Sequence, residues 1–304
     1  MPRLVSLLPS ITEIVCALGL QDSLVGRSHE CDFPEGLGHL PALTEPKLDA
    51  GRPSREIDDR VKQLVADGLS VYRVDAETLR GLEPDVVLTQ DHCEVCAASL
   101  SDVEQALADW TGRKPQVVSL DPKNLEDVWG DIEAVADACG VPEQGRLLAN
   151  RLRSEAGALH ERAQRAATRP SVACVEWIDP LMAAGNWVPE LVELAGARNL
   201  FGEAGEHSPW LEWETLRDAD PDAIIVLPCG FDIPRTRAEL PALTKQPGFA
   251  ELRAVREGHF YLTDGNQYFN RPGPRLLDSL QILCEILHPE LFAPGLEGEA
   301  WSER

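Results

Sequence analysis

The chain has 304 residues, of which 43% are hydrophobic and 6% aromatic, and its formal net charge is −23. This length suits two domains of about 150 residues each, and the composition is that of an ordinary globular protein. The strong negative charge argues against nucleic acid and anionic lipid as partners, because both attract clustered Lys and Arg. The acidic excess beside only five lysines fits either a salt-adapted surface or a protein from a high-GC genome.

The amino terminus does not read as a secretory signal. Its apolar run at residues 4–8 is interrupted at once by Pro9-Ser10, whereas a signal needs a longer apolar region and a small-residue cleavage site. No run approaches the roughly 18 apolar residues that a membrane-spanning helix requires. We therefore expect a cytoplasmic location for the chain as written, and a periplasmic or cell-surface location if a leader has been removed.

The first half of the chain alternates short apolar runs with segments of helical periodicity. Strands are predicted at residues 4–8, 24–28, 71–74, 86–90 and 117–120. Helices are predicted between them, beginning with residues 11–20 and with a later helix that starts at Ser54. Such alternation is typical of a parallel sheet that is covered by helices on both faces.

A long helix is predicted from Pro142 to about Thr168, where its 27 residues would span about 40 Å. The second half repeats the first pattern, with strands at 172–177 and 260–262 and helices at 189–195 and 274–287. The acidic tail from His288 is expected to be a loose end. We therefore predict an N-terminal α/β lobe over 1–141, a connecting helix over 142–169, and a C-terminal α/β lobe over 170–304.

One short sequence unit occurs twice. Glu77-Thr78-Leu79-Arg80 precedes Pro84-Asp85 and an apolar run, and the same pattern returns 137 positions later as Glu214-Thr215-Leu216-Arg217 before Pro221-Asp222. Each copy predicts a short helix, a proline that ends it, and a buried strand. A self-match at a fixed offset indicates two similarly built lobes, and two lobes imply a cleft that can hold a ligand.

Cysteine and histidine residues follow two of the predicted strands, in His29-Glu30-Cys31 and in His92-Cys93-Glu94-Val95-Cys96. Open α/β sheets place ligands at the carboxyl ends of their strands. Cys31, Cys93 and Cys96, with His29 or His92, would supply a four-coordinate, thiolate-rich zinc site. Three interpretations stay open: ligation of an ion or of the cobalt or iron in a chelate, a disulfide or redox dithiol, and plain structural use.

Four segments together resemble a known family. They are R-L-V-S-L-L-P-S-I-T-E-I-V-C-A-L-G-L at 3–20, G-R-S-H-E-C-D-F-P at 26–34, S-P-W-L-E-W-E-T-L at 208–216 and N-Q-Y-F-N-R-P-G-P-R at 266–275. They are similar, in order, to the class III substrate-binding proteins of bacterial importers for cobalamin, ferric siderophores and haem, above all the cobalamin-binding branch. The resemblance implies an α/β fold of two Rossmann-like lobes with parallel sheets, joined by one long rigid helix, with a ligand groove between the lobes.

The resemblance also implies a non-enzymatic binding protein for a cobalamin-like corrinoid. Aromatic walls suit such a flat macrocycle, because rigid rings bury area at little entropic cost. For the tryptophans, packing in a core is the alternative. The predicted ligand contacts are Pro9, Ser10, His29, Glu30, Asp91, His92, Trp187, Trp210, Tyr268, Phe269 and Arg271.

In the family, one glutamate of each lobe contacts arginines of the importer, and Glu77 and Glu214 occupy the matching positions. The alternative is that each carboxylate only favours the dipole of its helix. We expect a monomer that needs no cofactor, binds no nucleic acid, and carries a corrinoid, with zinc or iron as a further bound species at His29, Cys31, Cys93 and Cys96. The second functional hypothesis is a cytosolic protein that handles a metal or metal chelate through this Cys/His cluster. No sequence motif of a nucleotide-binding loop, a serine hydrolase or a zinc protease is present, so we do not expect an enzyme.

Overall fold

A computed structural model describes residues 1–67, 71–91, 100–108, 110 and 112–304. The chain divides into two compact α/β units. Unit 1 contains Met1–Arg52, Glu56–Pro122 and Glu126–Arg151, and unit 2 contains Pro53–Arg55, Lys123–Leu125 and Leu152–Arg304. The α/β class that the sequence predicts is confirmed, with a parallel sheet in each unit.

The sheet of unit 1 is built from short apolar strands. The strands up to residue 120 are β1 (Leu4–Ser6), β2 (Leu24–Arg27), β3 (Thr44–Pro46), β4 (Tyr72–Val74), β5 (Val86–Gln90) and β6 (Gln116–Leu120). The helices are α1 (Pro9–Ala17), α2 (Ser54–Ala66), α3 (Ala76–Gly81), α4 (Leu100–Ala106), α5 (Leu125–Ala138) and α6 (Pro142–Ala163). Four strands pair in parallel in the order β2-β1-β5-β6. Every residue of β5 is buried, as expected for a strand covered on both faces.

Strand β4 does not join the parallel sheet, which corrects the sequence prediction for residues 71–74. It pairs antiparallel with β3 in a separate sheet, where Thr44 lies opposite Val74. The exposed side chain of Arg73 forms an ion pair with Glu45 across the two strands. An exposed charged side chain in the middle of β4 suits a sheet that is open to solvent on one face.

The long helix α6 begins at Pro142, as the sequence predicts, and ends at Ala163 instead of Thr168. Its 22 residues extend for about 33 Å. The boundary between the two units, Arg151 to Leu152, falls inside this helix. Among the described residues, no helix combines the length and the apolar character that a membrane span needs.

Unit 2 repeats the architecture with a larger sheet. Its strands are β7 (Ser171–Trp177), β8 (Met182–Ala183), β9 (Arg198–Asn199), β10 (Ala223–Val226), β11 (Phe260–Thr263) and β12 (Trp301–Glu303). Its helices are α7 (Val188–Leu194), α8 (Trp213–Ala219), α9 (Ile233–Glu239), α10 (Pro241–Thr244), α11 (Arg253–Arg256) and α12 (Leu276–Leu287). The strand order is β12-β11-β10-β7-β8, and β9 also pairs with β7. Strands β7, β10 and β11 form the parallel centre.

The tail after His288 is not the loose end that its acidic composition suggests. It returns to the sheet as β12, which pairs antiparallel with β11. The indole nitrogen of Trp301 donates to the carboxylate of buried Glu285 at 3.0 Å. Phe292 and His288 are also buried. The prediction was wrong because two aromatic side chains in a polar segment bury enough apolar surface to order it.

Candidate ligand-binding site

The parallel strands of unit 1 present their carboxyl ends along one edge of the sheet. Pro9 and Ser10 follow β1, His29 follows β2, and Asp91 follows β5. Since β1 pairs with both β2 and β5, these loops leave the sheet at the same edge. Asp91 is exposed and Pro9 is half-buried, whereas Ser10 is buried. This edge is therefore where sheets of this class accept ligands.

His29 is the best-defined donor at this edge. Its Nδ1 lies 2.7 Å from the hydroxyl oxygen of Thr44, and its backbone N–H donates to the same oxygen at 3.1 Å. The ring lies 5.8 Å from that of Tyr72, measured between centroids. Burial, and then the nearby charge of Arg27, lower the pKa of His29. A neutral imidazole that is oriented through one nitrogen can use the other nitrogen as a metal ligand.

Glu30 and Cys31 are held in the same loop. The phenol of Tyr72 donates to Glu30 Oε1 at 3.1 Å, and the backbone N–H of Glu30 donates to the hydroxyl of Ser28. Cys31 is buried, and its sulfur lies 3.0 Å from the hydroxyl oxygen of Thr12. These contacts give the β2 loop a defined conformation.

Half of the predicted metal site cannot be placed. Cys93 and Cys96, together with the predicted ligand contact His92, lie outside the described residues. Within the ranges that the structure describes, no group of three or more His, Cys, Asp or Glu side chains is arranged to hold a metal ion. A site formed by His29, Cys31, Cys93 and Cys96 therefore stays a prediction.

The equivalent edge of unit 2 lies after β7, β10 and β11. Arg271 is buried there, and its Nη2 donates to Asn266 Oδ1 at 3.2 Å. Tyr268 is also buried, with the guanidinium of Arg275 stacked over its ring at 4.5 Å. Tyr268 and Arg271 are therefore each held by a neighbouring side chain in the loop between β11 and α12.

Two of the predicted aromatic contacts, Trp187 and Phe269, are buried in unit 2. Trp187 is only 4% exposed, and its indole N–H donates to the backbone oxygen of Phe269 at 2.6 Å. Phe269 is 0% exposed and has a φ of +66°, and its N–H donates to the hydroxyl of Ser279. Burial of these rings stabilises unit 2, and their contact with a ligand stays a prediction.

Trp210 is the aromatic residue that stays on the surface, with 55% of the side chain exposed. Its backbone is nevertheless held on both sides. Ala183 N–H donates to Pro209 O at 3.0 Å, and Leu211 N–H donates to Leu181 O at 2.9 Å. The neighbouring Trp213 is buried and donates to Pro247 O. Of the two tryptophans predicted to contact a ligand, Trp187 and Trp210, only Trp210 is exposed.

Sequence reasoning missed two residues at this edge. Trp177 ends β7, is half-buried, and has its ring 5.2 Å from Phe231. Cys229 lies shortly after β10 and is partly exposed. The signal that could have found them is position, because both residues stand at the carboxyl ends of parallel strands.

The two glutamates of the repeated unit are exposed, as docking residues must be. Glu77 lies in the first turn of α3 and Glu214 in the first turn of α8. The carboxylate of Asp75 caps α3, because its Oδ1 accepts from the N–H groups of Glu77 and Thr78 at 3.1 and 3.0 Å. Glu77 therefore projects from a helix start with a fixed backbone.

A family model described as periplasmic binding protein matches residues 4–267 of the chain. The chain belongs to this family. Among curated relatives, the vitamin B12-binding protein of Vibrio vulnificus is 25% identical over 284 residues, covering 93% of this chain and 89% of its own length. The uncharacterized ABC transporter substrate-binding lipoprotein YvrC of Bacillus subtilis is 23% identical, covering 95% and 81%. The resemblance that the four segments indicate is thus confirmed at the level of the superfamily.

A solved structure leads to the same family. The crystal structure of a periplasmic heme binding protein from Pseudomonas aeruginosa aligns with a TM-score of 0.69 and 26% identity. The alignment covers 96% of this chain and 94% of that protein. Members of this family named by function are substrate-binding proteins.

Proposed function

We propose that the protein is the non-enzymatic substrate-binding component of an ABC importer and that its ligand is a cobalamin-like corrinoid. The observation that carries the proposal is Trp210, an indole that is 55% exposed although its backbone is hydrogen-bonded on both sides. An exposed aromatic face on an ordered backbone suits a large planar ring, since little conformational entropy is lost on binding. The relative named for vitamin B12 supports the choice of corrinoid.

His29 supports a ligand that contains a metal. Burial and the charge of Arg27 lower the pKa of His29, which favours the neutral imidazole that can coordinate cobalt or iron. Thr44 lies 2.7 Å from Nδ1, so Nε2, which lies 3.9 Å from Glu30 Oε1, is the nitrogen that would coordinate a metal. We propose that a bound chelate is coordinated or contacted by His29 at the edge of unit 1.

Haem is the second candidate ligand. It shares the planar ring and the central metal, and the similar Pseudomonas aeruginosa structure is named for haem. The hypothesis of a cytosolic metal-handling protein is not favoured, because the matching relatives are substrate-binding proteins. Bound zinc or iron at the Cys/His residues stays a proposal that metal analysis of the purified protein can test.

Calorimetry against cyanocobalamin, hemin, a ferric siderophore and Zn²⁺ tests the ligand. We expect saturable binding of cyanocobalamin, weakened by at least about tenfold, or 1.4 kcal/mol, in Trp210→Ala. The control is Trp213→Phe, a change at a buried indole three residues further along the chain, at the start of α8. If the protein binds hemin and does not bind cyanocobalamin, haem replaces the corrinoid as the proposed ligand. If it binds only Zn²⁺, the proposal is wrong.

We further propose that Glu77 and Glu214 dock the protein on arginines of the importer. Carboxylates can accept two parallel hydrogen bonds from a guanidinium, so each exposed glutamate offers a specific contact. In cells that carry the cognate importer, Glu77→Ala with Glu214→Ala should abolish ligand uptake and leave the affinity for ligand unchanged. The control pair, Glu104→Ala with Glu203→Ala, also removes two exposed carboxylates. Normal uptake by the first pair would contradict the docking role.

We propose that the protein acts on the outer side of the cytoplasmic membrane, where an importer collects its substrate. The description of the family as periplasmic binding protein and the relative named as a lipoprotein support this location. Fractionation of the native cells with an antibody against the protein should find it in the cell envelope. A purely cytosolic distribution would instead favour the metal-handling hypothesis.

A further inference from the structure

The segment that carries Trp210 is paired with a second segment for most of its length. Asn186 N–H donates to Glu206 O at 2.7 Å, in addition to the bonds that Pro209 and Leu211 form with residues 181–183. Met182 and Trp210 face each other across an isolated antiparallel bridge. Residues 205–211, which we call the Trp210 segment, therefore depend on residues 181–186 for their conformation.

The two segments approach each other unusually closely at Gly185. A Cβ atom at this position would lie 2.5 Å from Glu206 O and 2.6 Å from the backbone nitrogen of Ser208. Contacts this short exclude every side chain, so the approach requires glycine. The Trp210 segment is consequently held against a rigid neighbour.

Ser208 joins this contact to the end of β7. Its side chain is buried, and its hydroxyl oxygen accepts from Gly185 N–H at 3.0 Å. The same hydroxyl donates to the carboxylate of Glu176, with both carboxylate oxygens 2.9 Å away. Because Glu176 belongs to β7, which pairs with strands on both sides, Ser208 ties the Trp210 segment to the sheet of unit 2.

We propose that Ser208, held by Glu176, is a positioning residue that fixes the indole of Trp210 for ligand binding. The proposal rests on the proposed function, in which Trp210 contacts the ligand. An aromatic face that is ordered before binding loses less entropy when the ligand arrives, so its order raises affinity. Ser208 acts two residues away and need not touch the ligand.

The chain offers a closely matched control at the other end of β7. Ser171 is also buried, its hydroxyl donates to Asp222 Oδ2 at 2.6 Å, and it accepts from Asp222 N–H at 3.0 Å. Ser208→Ala and Ser171→Ala therefore each remove one bond to a carboxylate and one from a backbone N–H. We expect similar losses of thermal stability from the two variants.

The two variants should differ in binding and in local order. Ser208→Ala should weaken binding of cyanocobalamin by about fivefold, which is about 1 kcal/mol, whereas Ser171→Ala should leave it unchanged. In a Trp210→Ala background, Ser208→Ala should have no further effect on affinity, because the two changes act through one group. Equal losses of affinity in both serine variants, or an additive loss in the double variant, would overturn the proposal.

Hydrogen exchange of the ligand-free protein separates this inference from the proposed function. Amides of residues 183–186 and 205–211 should exchange faster in Ser208→Ala than in Ser171→Ala. Unchanged exchange there contradicts the positioning role, whichever ligand the protein binds. Failure of the wild-type protein to bind cyanocobalamin or hemin would instead remove the proposed function, and the exchange result would still decide whether Ser208 orders the Trp210 segment.

Discussion

The repeated unit occurs at residues 75–90 and 212–227. The two copies have the same structure at their buried leucine and at the turn before their proline, but they differ at the residue that precedes the helix. In both copies the leucine of E-T-L-R, Leu79 or Leu216, is buried in the core of its unit. In both, the residue before the proline has a positive φ, +44° at Glu83 and +41° at Asp220. The burial of the leucine and the backbone conformation before the proline therefore follow from the residues that the two copies share.

The aspartate after the proline has the same task in both copies. The carboxylate of Asp85 accepts from the backbone N–H of Arg3 at 2.9 Å, just before β1. The carboxylate of Asp222 accepts from the N–H and the hydroxyl of Ser171 at 2.8 and 2.6 Å, at the start of β7. Each aspartate therefore fastens the first strand of its sheet to the strand of the repeat.

The helix starts differ because the residue before each helix differs. Asp75 reaches the N–H groups of the first turn of α3, whereas the structure shows no cap bond from Glu212, the residue at the same place before α8. Glutamate has one more methylene than aspartate and fits the cap position poorly. The repeated motif therefore determines which residue each helix buries, but it does not determine how the start of the helix is capped.

The largest effects are expected at the two buried leucines. Leu79→Ala and Leu216→Ala should each lower the free energy of unfolding by about 2–5 kcal/mol, because each leaves a cavity in a core. Denaturant unfolding measures both losses. The control is Leu147→Ala on α6, where the leucine is 62% exposed. A loss as small as the control's in one copy would show that the two copies are not equivalent in packing.

The next largest losses of stability are expected at the aspartates that follow the prolines, and the two losses should differ. Asp222→Ala should cost about 2 kcal/mol and Asp85→Ala about 1 kcal/mol, since the first removes two hydrogen bonds and the second removes one. Asp222 also forms an ion pair with Arg253 at 2.5 Å. Equal costs in denaturant unfolding would contradict this ranking.

The cost of Asp222→Ala should also depend on pH. Partial burial alone would raise the pKa of Asp222, but hydrogen bonds from Ser171 and the charge of Arg253 outweigh it and lower the pKa. A lowered pKa means that the carboxylate stabilises the fold above the unfolded value, about 3.9. This contribution is lost as the pH falls through the folded-state pKa. Unfolding measured between pH 7 and pH 3 should therefore show a shrinking difference between wild type and variant.

A smaller difference is expected at the helix starts. Asp75→Ala should cost about 1 kcal/mol through the loss of its cap, whereas Glu212→Ala should change stability by less than about 0.5 kcal/mol. Thermal unfolding of the two variants measures both effects. A large cost at Glu212 would indicate a role for its carboxylate other than capping.

The smallest expected effect is a gain in stability at the start of α8. Glu212 already has the extended backbone of a cap residue, with φ −78° and ψ 140°. Glu212→Asp should therefore create the missing cap and stabilise the protein by about 0.5 kcal/mol. Hydrogen exchange at the N–H groups of Glu214 and Thr215 should slow in the variant. No change in either measurement would mean that the α8 start cannot accept the bond.

Much of the secondary structure could be predicted from the sequence, because it depends on local pattern. The strand Val86–Gln90 and the start of α6 at Pro142 agree with their predictions. An apolar run, or a proline at a first helical turn, can be recognised from a few consecutive residues without knowledge of the rest of the fold. The pairing of β4 with β3 and the return of the tail as β12 were mispredicted, because strand partners distant in sequence leave no local pattern.

The candidate site divides in the same way. The sequence placed His29 in a loop after a predicted strand, and in the structure it follows the parallel strand β2. Trp187, Trp210 and Phe269 are all aromatic residues in predicted loops, and the sequence does not distinguish them. In the structure, Trp187 and Phe269 are buried and Trp210 is exposed. Exposure of an aromatic ring depends on what packs over it, and those neighbours come from distant parts of the chain.

The sequence by itself determined the α/β class, the repeated helix-strand unit and the family, since each depends on periodicity or on short ordered motifs. Only the tertiary structure decided which tryptophan presents a face, how Thr44 holds His29, and that Glu176 and Ser208 brace the Trp210 segment. The physical reason is distance along the chain. Hydrogen bonds and burial join residues that are far apart in sequence, and only the folded chain brings them together.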